Sequence, residues 1–180
     1  MQIEDPVSMW RLGLCAAALL GFLGFGYSEA SSSPRIPAGE PVAIVVHKQN
    51  ALTEISLKDL RGFFMMEKRT WPAGAGPVSG KDVVLFLRSS DSAEQKTALE
   101  KIYGMSADQL ERHWVEFIYQ GKISSAPVAK NSAAQVLRAV SREPAAISFL
   151  LLKDVTADVK ILKVDGESPE SEKYPLVAAR

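Results

Sequence analysis

The chain has 180 residues, 47% of them apolar and 23% charged, the profile of one ordinary globular domain rather than of a disordered or fibrous chain. Its 21 basic and 21 acidic side chains cancel, so no strong field points toward nucleic acid, an acidic polymer or an anionic membrane surface. The single cysteine rules out a disulfide framework within the chain.

Arg11 is followed by an uncharged apolar run from Leu12 to Phe25, and then by Tyr27-Ser28-Glu29-Ala30. Ser28 and Ala30 are small enough for a signal-peptidase pocket, so residues 1–30 are expected to be a cleavable export signal, cut after Ala30. The run is shorter than the about 20 apolar residues a helix needs to span a bilayer. Met9 offers a second candidate start. Cys15 lies inside the run and leaves with it, and Leu14 before it is too large for a lipid-attachment motif. The expected location is periplasmic or otherwise extracytoplasmic.

Residues 31–41, with three prolines and three serines, read as a linker. The folded domain is expected over 42–165. Val42-Ala43-Ile44-Val45-Val46 has the composition of a strand buried on both faces. Ser56, with Asp59 three residues on, caps a helix that presents Leu57, Leu60, Phe63 and Phe64 on one face. Trp71 to Pro77 is a turn-rich loop, and Val83 to Leu87 is a second buried strand.

Asp91 or Ser92 starts the next helix, which carries Leu99, Ile102 and Tyr103 and ends at Gly104. Ser106 to Gln109 is a capping box for a helix packing Leu110, Trp114, Phe117 and Ile118, closed by Gly121. Ser132 to Gln135 opens another, with Val136, Leu137 and Val140, ending ahead of Pro144. Ala146 to Leu151 and Val159 to Val164 are the last strands expected. Residues 166–180 are expected to form a loosely ordered tail, Tyr174 to Ala178 being its one candidate for docking.

Strands alternating with helices predict an α/β fold, a mostly parallel sheet with helices on both faces. Ligands of such sheets sit beyond the carboxyl ends of the strands, often at a helix N-terminus. That singles out Arg88-Ser89-Ser90-Asp91-Ser92-Ala93, between a strand and the helix that follows it. A first turn of free amides carries about half a positive elementary charge, and a guanidinium adds a full charge in a planar fork suited to an oxyanion. Arg88, Ser89, Ser90, Ser92 and Ala93 are the candidate anion-binding residues. Asp91 and Glu94 set a competing arrangement, because they too form a capping-box pattern that would satisfy the same amides, with Arg88 paired to Asp91 or another acid.

The order of five short motifs resembles the phosphate-binding subunits of ABC transporters. They are Val45-Val46-His47-Lys48-Gln49-Asn50, Ser56 to Phe64, Lys68-Arg69-Thr70-Trp71-Pro72, Arg88 to Ser92, and Pro144-Ala145-Ala146-Ile147-Ser148-Phe149. The resemblance runs from about Pro41 to Val164 and implies one lobe of a periplasmic-binding-protein-like fold. Matched residue by residue, Arg88 and Ser92 stand on the family's arginine and serine. Ser90 replaces its aspartate, Ala93 its glycine and Glu94 its threonine.

Other chemistry has little support. His47 and His113 are the only histidines and form no metal-binding spacing. No serine sits in a G-x-S-x-G or S-x-x-K motif, and Gly74-x-Gly76 lacks the lysine of a phosphate loop. Trp71 and Trp114 read as core residues. The expectation is a non-enzymatic, exported solute-binding-like protein, with phosphate or a related oxyanion as ligand and no cofactor. Its alternative is a ligand-free interaction or sensory module in the cell envelope. The partners to expect are the oxyanion, an envelope protein or a second copy of the chain, and not nucleic acid.

Overall fold

The structure, a computed structural model, describes residues 39–178. The expected signal, its cleavage point after Ala30, Cys15 and residues 31–38 of the expected linker lie outside the described residues.

The first strand, β1 (Glu40–Val46), is the β-branched run, and Val42 to Val46 are all buried. A two-residue strand, β2 (Glu54–Ile55), leads into helix α1 (Leu57–Phe64). Ser56 caps that helix by accepting the Asp59 amide. A 3-10 stretch over Ala73–Val78 precedes β3 (Val84–Arg88). Helix α2 (Ala93–Ala98) continues through a π turn over Leu99–Tyr103 to left-handed Gly104. Then come α3 (Ala107–Tyr119), β4 (Val128–Lys130), α4 (Ala133–Arg142), β5 (Ala146–Leu151), β6 (Lys160–Val164) and β7 (Val177–Ala178).

The strands make one sheet in the order β2-β6-β1-β5-β3-β4, with β7 added against the start of β1. The pairs β2–β6, β3–β5 and β3–β4 are parallel. All three pairings of β1, with β5, β6 and β7, are antiparallel. Six strands therefore share one direction and β1 alone opposes them, so the sheet is mostly parallel in direction but reversed at its centre. No feature of the β1 sequence signals this reversal, because a strand buried on both faces has the same composition in either direction.

Alternation along β1 and β5 divides the apolar side chains between two layers. Val42, Ile44, Val46, Ile147 and Phe149 meet Leu60, Phe63 and Phe64 of α1, Ile102 of the π turn and Trp114 of α3. On the opposite face Val45, Ala146 and Leu150 meet Val136 and Val140 of α4. Helices thus cover both faces. Trp71 and Trp114 are core residues, 1% and 6% exposed. Trp71 packs on Phe63 at 5.2 Å between ring centroids and donates its indole N–H to the Ala145 carbonyl at 2.9 Å.

Within the segment expected to be a loose tail, Tyr174 to Ala178, its candidate for docking, packs onto the sheet. Tyr174, Leu176 and Ala178 are buried. The Val42 amide donates to the Leu176 carbonyl at 2.8 Å, and β7 pairs with Glu40 and Pro41. The polar composition of 165–173 conceals this order, because its turns are held by backbone bonds such as Ser171 to Ser168 and Tyr174 to Ser171.

Candidate functional site

The carboxyl ends of β2, β3, β4, β5 and β6 open on one edge of the sheet, because these strands share a direction. β3 ends at Arg88, and the chain turns sharply there. The Ser89 amide donates to the Lys130 carbonyl of β4 at 3.1 Å, and the Ser92 amide donates back to the Ser89 carbonyl at 3.0 Å. Ser92, in extended backbone, is the N-cap of α2 and accepts the Gln95 amide at 3.2 Å. Of the two candidate starts, Ser92 caps the helix and Asp91 does not. The exposed Asp91 carboxylate is instead held below the usual range, first by the Ser89 hydroxyl and then by its own amide.

The five anion-binding candidates are therefore contiguous in space, but their donors are unequally free. Ser89 and Ser92 have committed their amides. Among the described residues the amides of Ala93 and Glu94 have no protein acceptor. Ser90 and Ala93 are exposed. Arg88 is engaged on two sides: its Nε donates to Glu94 Oε1 at 3.2 Å and its Nη1 to the Lys130 carbonyl at 2.9 Å. The two side chains are nearly out of solvent, at 10% for Arg88 and 4% for Glu94. The acid that meets Arg88 is thus Glu94 from the first turn of α2, not Asp91 beside it.

Two neighbours complete the electrostatics of this edge. Lys153, just after β5, pairs with Glu40 at 2.6 Å, and that contact holds its ammonium above the usual range, with Asp154 and Glu94 adding to the effect. Gln95 is 5% exposed and its Oε1 has no hydrogen-bond partner. It lines a groove of about 460 Å³ with Arg88, Ser90, Leu99 and Trp114.

A second helix start opens on the same edge. The Leu57 amide at the head of α1 donates to Asp165 Oδ1 at 2.9 Å, and Asp165 follows β6 directly. Both helix starts thus hold a carboxylate of this chain close by. Sequence reasoning missed Asp165, Gln95 and Lys153. Asp165 and Lys153 meet the edge only through long-range pairing of β6 and β5, which leaves no local signal.

His47 takes a local role, whereas His113 also reaches across to α1, its Nε2 lying 3.2 Å from the Met65 carbonyl oxygen. The Gln49 amide donates to His47 Nδ1, and His113 stacks on Phe117 with ring centroids 4.0 Å apart.

No protein-family model and no curated protein sequence matches the chain. Solved structures do match its fold. A phosphate ABC transporter substrate-binding protein from Clostridium perfringens, solved with bound phosphate, aligns with TM-score 0.57 and 17% identity over 72% of this chain and 47% of that one. An ABC-type phosphate transport receptor from Vibrio cholerae gives 0.56 and 15% over 72% and 48%. PstS from Borrelia burgdorferi gives 0.60 and 15% over 79% and 56%. The chain spans about half the length of these proteins. At that identity the likeness carries the fold alone, and this chain shares its fold with about half of each of these phosphate transport proteins.

Proposed function

We propose that the chain is an exported, non-enzymatic solute-binding-like protein that captures phosphate or a related oxyanion at the turn formed by Arg88, Ser89, Ser90, Ser92 and Ala93. The observation that carries the reading is the position of Arg88. In a fold shared with phosphate-binding proteins, a guanidinium stands at the end of a parallel strand beside the uncommitted amides of Ala93 and Glu94. Those groups suit reversible capture of a tetrahedral anion by charge-assisted hydrogen bonds. With one side of the turn open to solvent, affinity is modest, because charge attraction is weak in high dielectric.

Calorimetric titration of the purified protein with phosphate, sulfate and molybdate tests this. Saturable heat is expected for the natural chain and none for the Arg88→Ala/Glu94→Gln pair, in which no buried charge is left stranded. Silence of the natural chain at anion concentrations on the order of millimolar overturns the reading.

A second reading, a ligand-free interaction or sensory module of the envelope, is favoured by one specific observation. Glu94 on Arg88 and Asp165 on the Leu57 amide already supply carboxylates where an external anion would sit. In that case an envelope protein, or a second copy of the chain, docks on the open edge of the sheet. Export is supported by the Arg11 to Ala30 pattern, and among the described residues no helix is long and apolar enough to cross a membrane. Mass spectrometry of the exported protein is expected to find Ser31 as its first residue.

A further inference from the structure

We infer that the solvent-facing stripe of α3 is a self-association surface, on which a second copy of this chain packs its own α3 antiparallel about a two-fold axis. The inference does not depend on the reading of Arg88 as an anion ligand.

Leu110 and Trp114 fix the side of α3 that enters the core. The opposite side presents Asp108, Arg112, Val115 and Tyr119, whose spacing alternates between four and three residues and so sets them in one row along the helix. The outer face of a surface helix is ordinarily polar, yet here Val115 is 62% and Tyr119 91% exposed, with Ile118 flanking them. Of the four large hydrophobic side chains exposed among the described residues, three lie on this one helix. With Asp108, Glu111, Arg112 and Glu116, Val115 and Tyr119 line a groove of about 600 Å³ that borrows no side chain from any other element.

The charges on the face choose the occupant. Three acids and one base share it, so a second copy laid parallel would set Glu111 against Glu111 and Glu116 against Glu116, and like charges so placed are costly. Laid antiparallel, with the two-fold axis level with His113 and Trp114, Arg112 meets Glu116 of the second copy, Val115 packs on the stem of Arg112, and the Tyr119 phenol reaches Asp108. Symmetry makes each of these contacts twice. Glu111 then lies beside Ile118, so in this register no acid faces an acid. Both members of the ion pair are available. Among the described residues Arg112 makes no ion pair within the chain, and Glu116, which accepts Gln120 Nε2 at 2.7 Å, keeps lone pairs for a guanidinium. The 13 residues of α3 give a contact about 20 Å long, which belongs to the small, weakly associating class of interface.

Sedimentation equilibrium of the purified protein is expected to show a monomer–dimer equilibrium with a dissociation constant on the order of tens of micromolar. Tyr119→Ser removes the aromatic anchor and is expected to weaken association about tenfold or more. Arg112→Glu and Glu116→Arg, both at exposed positions, are each expected to weaken it by a similar factor, because symmetry counts every reversed charge twice. Mixed in equal amounts, these two charge variants regain both ion pairs across the axis, and association is expected to return to within about threefold of the natural value. A natural chain that stays monomeric at about 1 mM overturns the inference. Dimers that survive both Tyr119→Ser and Arg112→Glu lie on another surface and overturn it as well. A mixture of the two charge variants that stays monomeric overturns the antiparallel pairing and the inference with it. Circular dichroism confirms that each variant is folded; should one not be, Val115→Lys on the same stripe takes its place, and a dimer that survives it has the same adverse meaning.

Discussion

The hydroxyl of Tyr174 donates to the carbonyl oxygen of Val42 at 3.0 Å, joining the end of the chain to the first strand. The bond is buried, and Leu176, 0% exposed, lies two residues further along the same contact. Tyr174→Phe keeps the ring and removes the donor, so it is expected to destabilise the protein by about 1 kcal/mol. Leu176→Ala opens a cavity and is expected to cost about 2–5 kcal/mol. Urea melts of the two variants check the ranking. Equal stability of all three proteins would mean that the last segment contributes nothing to the fold.

Tyr103 is the opposite case. Its hydroxyl is buried with no hydrogen-bond partner, under the T-shaped contacts of its ring with Phe64 and Trp114. Tyr103→Phe removes an unsatisfied polar group and keeps the packing, so it is expected to leave stability unchanged or to raise it.

Burial raises the Tyr103 and Tyr174 phenols well above their usual range. In the unfolded chain both titrate near pH 10. Above about pH 10 the unfolded state therefore sheds protons that the folded state keeps, and stability is lost as pH rises. Below that pH the contribution is present in full. Urea midpoints at about pH 9 and about pH 11 should fall less for Tyr103→Phe than for the natural chain.

Gly76 has φ 65° and ψ −129°, a backbone state open to glycine, and a Cβ placed there would lie 2.8 Å from Ala51 Cβ. The Ala51 amide donates to the Ala75 carbonyl at 3.2 Å, so neither segment is free to retreat. Gly76→Ala is expected to lose about 1–3 kcal/mol. Gly80→Ala, which is left-handed but meets nothing within 4 Å, separates the backbone cost from the clash and should lose less in the same melts.

Removing the guanidinium alone should be costlier than removing the pair. Arg88→Met leaves the Glu94 carboxylate buried without its partner and is expected to cost about 3–5 kcal/mol, whereas Arg88→Met/Glu94→Leu recovers much of the loss. A double-mutant cycle on thermal melts measures the coupling. A loss in Arg88→Met no larger than that in the double variant would show that the carboxylate had found water instead.

Local chemistry was the readable part of the sequence. Ser56, Ser92, Ser106 and Ser132 each accept the amide three residues on, and Gly104 and Gly121 take left-handed backbone where helices end. These signals depend on neighbours within one turn, which the sequence lists side by side. β2 and β4, of two and three residues, were missed because strands so short carry no period. The anion candidates, adjacent in sequence, lie at the end of β3, and the sequence does not single out the partner of Arg88. The choice between Asp91 and Glu94 turns on which face of a helix's first turn points inward, and that is decided once Ser92, not Asp91, starts the helix.

The lone reversed strand has a consequence for how the molecule is made. β1 emerges first from the ribosome, yet Val42 faces Leu151, Ile44 faces Leu162 and Glu40 faces Ala178. Its neighbours are the later strands β5, β6 and β7, so its backbone groups stay unpaired until those strands are made, and contacts of such long sequence separation close slowly. A chain that lacks those three strands therefore has no finished centre to lock.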